Sequence, residues 1–168
     1  MKSILKYALI AAGLVIAAKL IIFFTHTQFT GIGIYSGLFS LFLISVPLFM
    51  AVKNRRDKEL GGYISLMEIA KIGLGIAVIT GLIIAVFTYM YYKFIDHEIL
   101  SHLIEQTKQL GIEQKRTQAE IDTELKALND FYEPFHQATG VLTGILISGI
   151  VFSLIASTFL LKNPQNRN

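Results

Sequence analysis

The chain has 168 residues, 53% of them hydrophobic, a formal net charge of +3 and a mean hydropathy of +0.56. This balance argues against a soluble domain with a single core, which has no use for repeated apolar runs of about 20 residues, the length that crosses a bilayer as a helix. The absence of cysteine excludes disulfides, thiolate metal sites and a cysteine nucleophile, and the absence of tryptophan leaves tyrosine and phenylalanine as interfacial anchors.

The first apolar run is expected over 5–24. Lys2 and Lys6 before it resemble a signal-peptide n-region. The run is too long for an h-region, and Ile16-Ala17-Ala18 puts a bulky residue where cleavage prefers a small one, so an uncleaved span is expected. Lys19 lies about one turn from the end of the run and reads as a snorkelling lysine. Phe23, Phe24 and Phe29 mark the interface. After a turn without Lys or Arg, a second span is expected over 32–52. In it Gly33 and Gly37, and Ser36 and Ser40, permit close helix approach, and Pro47 removes a backbone donor and predicts a kink.

Residues 53–71 read as a basic loop followed by an interfacial lead-in. The cluster Lys53-Asn54-Arg55-Arg56-Asp57-Lys58 is a cytoplasmic topology signal, compatible with attraction to anionic head groups. It is short and lacks interleaved aromatics, so nucleic-acid binding is not expected. Gly61-Gly62 breaks the chain, and Tyr63 to Lys71 alternates apolar and polar residues at helical spacing, with Glu68 and Lys71 able to pair. The third span is expected over 72–92. Gly73, Ala77, Gly81 and Ala85 recur every four residues as a helix-packing ridge, and Tyr89, Tyr91, Tyr92 and Phe94 close the span.

The stretch 96–137 is the one long polar segment. Ile95, Ile99, Leu103 and Leu110 form one apolar seam; Ile121, Leu125, Leu128 and Phe131 or Tyr132 form a second. Gly111 to Arg116 reads as the turn between them, and Thr117 with Glu120 fits a capping box. Each arm of about 15 residues would be about 22 Å long. Matched arms predict an antiparallel helical hairpin outside the bilayer, in preference to two helices lying on the membrane surface. Pro134 suits the first turn of a fourth span, expected over 139–161. There Gly140, Gly144 and Ser148 make one small ridge, and Gly149, Ser153 and Ser157 another, suited to the third span or to a second copy.

The fold expected is therefore all-α: an integral membrane protein with four transmembrane helices and an extramembrane helical hairpin between helices 3 and 4. Lys2, Lys6, the 53–58 cluster, Lys162 and Arg167 fall on one side, whereas residues 96–137 hold nine acidic and four basic residues. Both termini are accordingly expected in the cytoplasm and the hairpin in the periplasm of a bacterial inner membrane.

The order of these features resembles the bacterial membrane family known as domain of unknown function 4199, typical of Bacteroidota. The matching pieces are Gly62-Tyr63-Ile64-Ser65 leading into Lys71-Ile72-Gly73-Leu74, then Tyr91-Tyr92-Lys93-Phe94-Ile95-Asp96. Asp130-Phe131-Tyr132-Glu133-Pro134-Phe135-His136-Gln137 and Gly149-Ile150-Val151-Phe152-Ser153-Leu154-Ile155 complete the set. The resemblance implies four spans and an inner-membrane location. It supplies no activity and no site residues.

No catalytic, cofactor-binding or metal-ligating residues are expected. His26, His97 and His136 are predicted at one membrane depth, but no histidine pair has the i, i+4 ligand spacing, and separate solvated histidines are the preferred reading. Asp122, Glu120 and Glu124 lie on a solvated helix face, unlike catalytic carboxylates in a sheltered site. Gly31-x-Gly33 and Gly73-x-Gly75 lack the strand and turn of a phosphate loop. The function expected is non-enzymatic: assembly through the hairpin and the small-residue faces, with the lipid bilayer, a second copy, or a membrane or periplasmic protein as partner. A small transporter or channel subunit is the alternative, with Lys19 as the only ionisable residue inside a span.

Overall fold

In a bilayer every backbone polar group must find a partner within the protein, so apolar runs of this length fold as helices. The structure, a computed structural model, describes residues 2–27, 30–96 and 98–161, without the side chains of residues 31–34. The helices are α1 (Lys2–Phe24), α2 (Gly31–Asn54), α3 (Leu66–Met90), α4 (Glu98–Glu113), α5 (Gln118–Phe131) and α6 (Pro134–Leu160). The described residues form no strand element. α1, α2, α3 and α6, two of them with a following π-helical turn, are long and apolar enough to cross a membrane. α4 and α5, with 16 and 14 residues, are too short and too polar to do so.

The ends of these helices differ from the sequence expectation for local reasons. α2 continues through the basic cluster as a π-helical turn, Arg55–Glu59, rather than opening into a loop. The Leu60 N–H reaches back to the Arg55 carbonyl at 3.1 Å, Arg55 pairs with Glu59, and the Arg56 Nε donates to Asp57 Oδ1 at 2.6 Å. The chain then reverses at Gly61 and Gly62, whose φ angles are 63° and 92°. A Cβ at either position would meet nothing within 4 Å, so the left-handed backbone, not space, selects glycine there. α3 starts at Leu66, because Ser65 caps it: its carbonyl accepts from Ile69 N–H at 3.1 Å and its hydroxyl from Glu68 N–H at 3.3 Å. The lead-in is thus the first turns of the span itself. α6 starts early for the same kind of reason. The Glu133 carboxylate accepts the His136 N–H at 2.7 Å, and Pro134 occupies the first helical position, where no N–H is needed.

The chain forms two compact units. The first holds α1, α2, α3 as far as Ile84 and α6 from Leu142 onwards; the second is Ala85–Val141. In the first, α1 packs against α2. The core near the basic end gathers Ala8, Leu48, Val52, Ile69, Ile76 and Ala156. α3 is the most enclosed of the spanning helices, with 44% of its apolar window buried against 22–28% for the others. It touches α1 where Thr80 Oγ1 donates to the Ala8 carbonyl at 3.2 Å, a bond that satisfies a buried hydroxyl among apolar neighbours. Pro47 lies inside α2.

Candidate functional site

Within the first unit, α3 and α6 meet along glycine and alanine. A Cβ built on Gly149 would lie 2.3 Å from the Ala77 Cβ, and one on Gly73 would lie 1.8 Å from the Ser153 Oγ. One on Gly81 would lie 2.9 Å from Leu142 Cδ1. Such approach needs small residues on both helices. Ser153 is buried and donates its hydroxyl to the Gly149 carbonyl at 2.6 Å, inside its own helix. The third-span ridge Gly73, Ala77 and Gly81 therefore faces the α6 surface that carries Gly149 and Ser153. Ala85 is half-buried and belongs to the second unit. The other α6 ridge is different: Gly140 and Gly144 are exposed with nothing within 4 Å of a Cβ, and half-buried Ser148 donates to the Gly144 carbonyl at 2.7 Å.

In the second unit α4 packs against α5 as a hairpin. Ile121 is buried on the seam; Ile99, Leu103, Leu125, Leu128 and Tyr132 are half-buried, while Leu110, Ile95 and Phe131 are exposed. α4 runs through Gly111, where a turn was expected, and the reason is a contact. A Cβ on Gly111 would lie 2.6 Å from Ile121 Cγ1, so glycine here lets the arms close and the helix continue past it. The reversal falls at Gln114 to Thr117, with Lys115 at φ 51°.

α5 then begins on a complete capping box. Thr117 Oγ1 accepts the Glu120 N–H at 3.4 Å, and the Glu120 carboxylate accepts the Thr117 N–H at 2.8 Å. These bonds, from the Thr117 backbone first and its hydroxyl second, hold the Glu120 carboxyl below the usual carboxylate range. Because the folded value is the lower one, the stabilisation is present above the unfolded carboxylate range and is lost as pH falls through that range and below it. Thr117→Ala should speed amide exchange in the first turn of α5 about fivefold at neutral pH. Hydrogen-exchange mass spectrometry at pH 7 and again near pH 4 checks both effects; the difference between wild type and variant should shrink at the lower pH.

The hairpin surface is not uniformly polar. Ile112 is 72% exposed and Phe131 56% exposed. An open groove of about 440 Å³ runs past Thr107, Glu124, Ala127, Leu128 and Phe131, with Glu124 paired to Arg116.

The second unit also holds a feature that the sequence reading did not single out. After α3 the chain makes a π-helical turn, Tyr91–Ile95, and the Asp96 N–H closes it on the Tyr91 carbonyl at 2.9 Å. At α-helical pitch residues five apart diverge; the wider turn returns Asp96 beneath Tyr91. The Tyr91 hydroxyl donates to Asp96 Oδ2 at 2.6 Å. Both residues are buried, at 1% and 2% exposure, and Asp96 Oδ1 has no hydrogen-bond partner among the described residues. An aromatic chain surrounds the pair, with Tyr91 to Tyr92 at 5.3 Å and Tyr92 to Tyr132 at 6.0 Å between ring centroids, both edge-to-face. Burial pushes the Tyr132 phenol above its usual range, and Tyr92 and Asp96 push the same way. The visible signal was an aspartate directly behind an aromatic-rich span end, five residues from a tyrosine.

Among the described residues no three of His, Cys, Asp and Glu converge as a ligand set. The grouping of His26, His97 and His136 involves residue 97, outside the described residues.

These elements define an all-α membrane protein: four helices able to span, with a hairpin of two short polar helices between the third and the fourth. The chain belongs to the family described as protein of unknown function (DUF4199), whose model matches residues 6–162 and so takes in nearly all of α1 and the whole of α2 to α6. Neither the curated proteins nor the solved structures give a match.

Proposed function

We propose that this is a non-enzymatic protein of a bacterial inner membrane that works by contact, through the hairpin. The observation that carries the reading is the hairpin surface. Its turn is satisfied internally by the capping box and the Arg116–Glu124 pair, yet Phe131 stays exposed along a groove and Ile112 is exposed near the turn. Exposed apolar side chains on an otherwise charged surface suit a protein partner. The open face at Gly144 offers a second copy a close-packing surface within the membrane.

The charge pattern supports both termini in the cytoplasm and the hairpin in the periplasm. Because the chain lacks cysteine, one introduced thiol reports without background. Lys115→Cys should react with a membrane-impermeant maleimide in intact spheroplasts, and Lys58→Cys only after lysis; the reverse pattern would invert the topology.

Photo-crosslinking probes at Glu113 and Gln118, both exposed near the hairpin tip, test the contact itself. A reproducible foreign protein would mark an adaptor or assembly factor, and crosslinks to the same chain a homo-oligomer. Absence of any crosslink would remove the hairpin as a docking surface. One observation favours the alternative of a small transporter or channel subunit: Asp96, at the end of a span, is a buried carboxyl with one oxygen that has no hydrogen-bond partner among the described residues.

A further inference from the structure

At the basic end of the first unit, three helix ends enclose a cavity of about 420 Å³. Its charged lining comes from Lys2 at the start of α1, Arg55 and Glu59 in the turn after α2, and Glu68 and Lys71 in the first turns of α3. The two carboxylates converge on one cation: Arg55 pairs with Glu59, and its Nε lies 4.0 Å from Glu68 Oε2. Lys2 and Lys71 form no ion pair among the described residues. The cavity thus carries three cations against two carboxylates, a net charge of +1, with the two ammonium groups outside its ion pairs. The first turn of α1 adds backbone N–H groups without helical acceptors, and Ser3 adds a hydroxyl.

The rest of the lining is apolar. Ile4, Ala51 and Ile72 form the floor, and outside it Leu5, 49% exposed, continues the lipid-facing surface of α1. The cavity lies at the ends of helices that span, hence at the depth of phospholipid head groups. A ligand for it needs a compact anion joined to hydrocarbon. We infer that this cavity binds the phosphate-bearing head group of an anionic phospholipid, with Lys2 and Lys71 as its cationic contacts and the acyl chains running along α1. A soluble phosphate would match the two lysines but leave the apolar floor uncovered. The inference rests on the four spans and not on the contact reading of the hairpin.

Native mass spectrometry of the purified full chain, titrated with phosphatidylglycerol, phosphatidylcholine or glycerol 3-phosphate, tests it. Phosphatidylglycerol should bind about tenfold more tightly than phosphatidylcholine, and the K2Q/K71Q double variant should lose about that preference. The K2R/K71R pair should retain it. K53Q/K58Q, which removes two cations of the basic cluster outside the cavity, should lose a smaller part of the preference than K2Q/K71Q, because surface cations attract anionic head groups without enclosing them. An equal loss in K53Q/K58Q would reduce the effect to diffuse surface charge and overturn the site. So would an absence of lipid preference, or glycerol 3-phosphate binding as tightly as the lipid. The single variants K2Q and K71Q, each expected to lose about threefold, decide the question should the double variant not fold.

Discussion

Gly149→Leu should destabilise the chain by about 3 kcal/mol, the upper end of ordinary overpacking, because the new side chain has nowhere to go. Its Cβ alone would sit 2.3 Å from the Cβ of Ala77, an atom fixed to the α3 backbone, with the Gly73 carbonyl oxygen at 3.4 Å. Relief requires α3 and α6 to separate, and α3 is the most enclosed of the spanning helices. Gly81→Leu should cost less, since its nearest obstacle is the flexible end of Leu142. Gly144→Leu meets open space and should stay within about 0.5 kcal/mol of wild type in the isolated chain, as surface substitutions do. Thermal unfolding of the three variants in detergent checks the order. Equal melting of Gly149→Leu and wild type would show that these helices do not meet along this face. Where Gly144→Leu melts normally but abolishes self-association, the open face is the seam for a second copy.

Tyr91→Phe should cost about 1.5–3 kcal/mol, the range for a hydrogen bond to a charged group. The hydroxyl at 2.6 Å is the donor to Asp96 Oδ2, and Oδ1 already has no partner among the described residues. The substitution therefore leaves a carboxyl at 2% exposure without its donor. Asp96→Asn is the informative companion. It keeps an acceptor for the tyrosine hydroxyl and removes the ionisable group, so it should melt within about 1 kcal/mol of wild type or above it. Ion flux in reconstituted vesicles then separates the readings. Flux present in wild type and lost in Asp96→Asn at unchanged stability would establish the transporter alternative and sink the contact reading. An unaltered melting temperature for Tyr91→Phe would instead mean that the pair contributes nothing to the fold.

What is legible in this sequence depends on the range of the interactions involved. Thr117 and Glu120 were legible as a cap because the motif closes over three residues and needs nothing else. Pro134 was legible as a helix start for the same reason, although the Glu133 cap that moves α6 forward was not identified. Composition suggests a turn at Gly111, yet it lies in helix because Ile121, on the other arm, occupies the space a side chain there would need. Tyr91 was read as an interfacial anchor, whereas it is 1% exposed and bonded to Asp96. That role depends on a π-helical turn, which periodicity at α-helical spacing does not register.

By itself the sequence determined the helical class, the four spans and the two-armed polar insert, since all three follow from hydrophobic period and length, summed over many residues. It also determined that α3 and α6 each carry small residues every four positions. Only the tertiary structure decided which of the two α6 ridges meets α3. A period defines a face, but two faces of one helix are equivalent until another helix occupies one of them. The same holds for the cavity of Lys2, Arg55 and Lys71 and for the buried Tyr91–Asp96 pair. The cavity joins the start of α1 to the α2–α3 connection, far from it in sequence, and the buried pair depends on a local departure from helical pitch, so neither is present until the chain has packed.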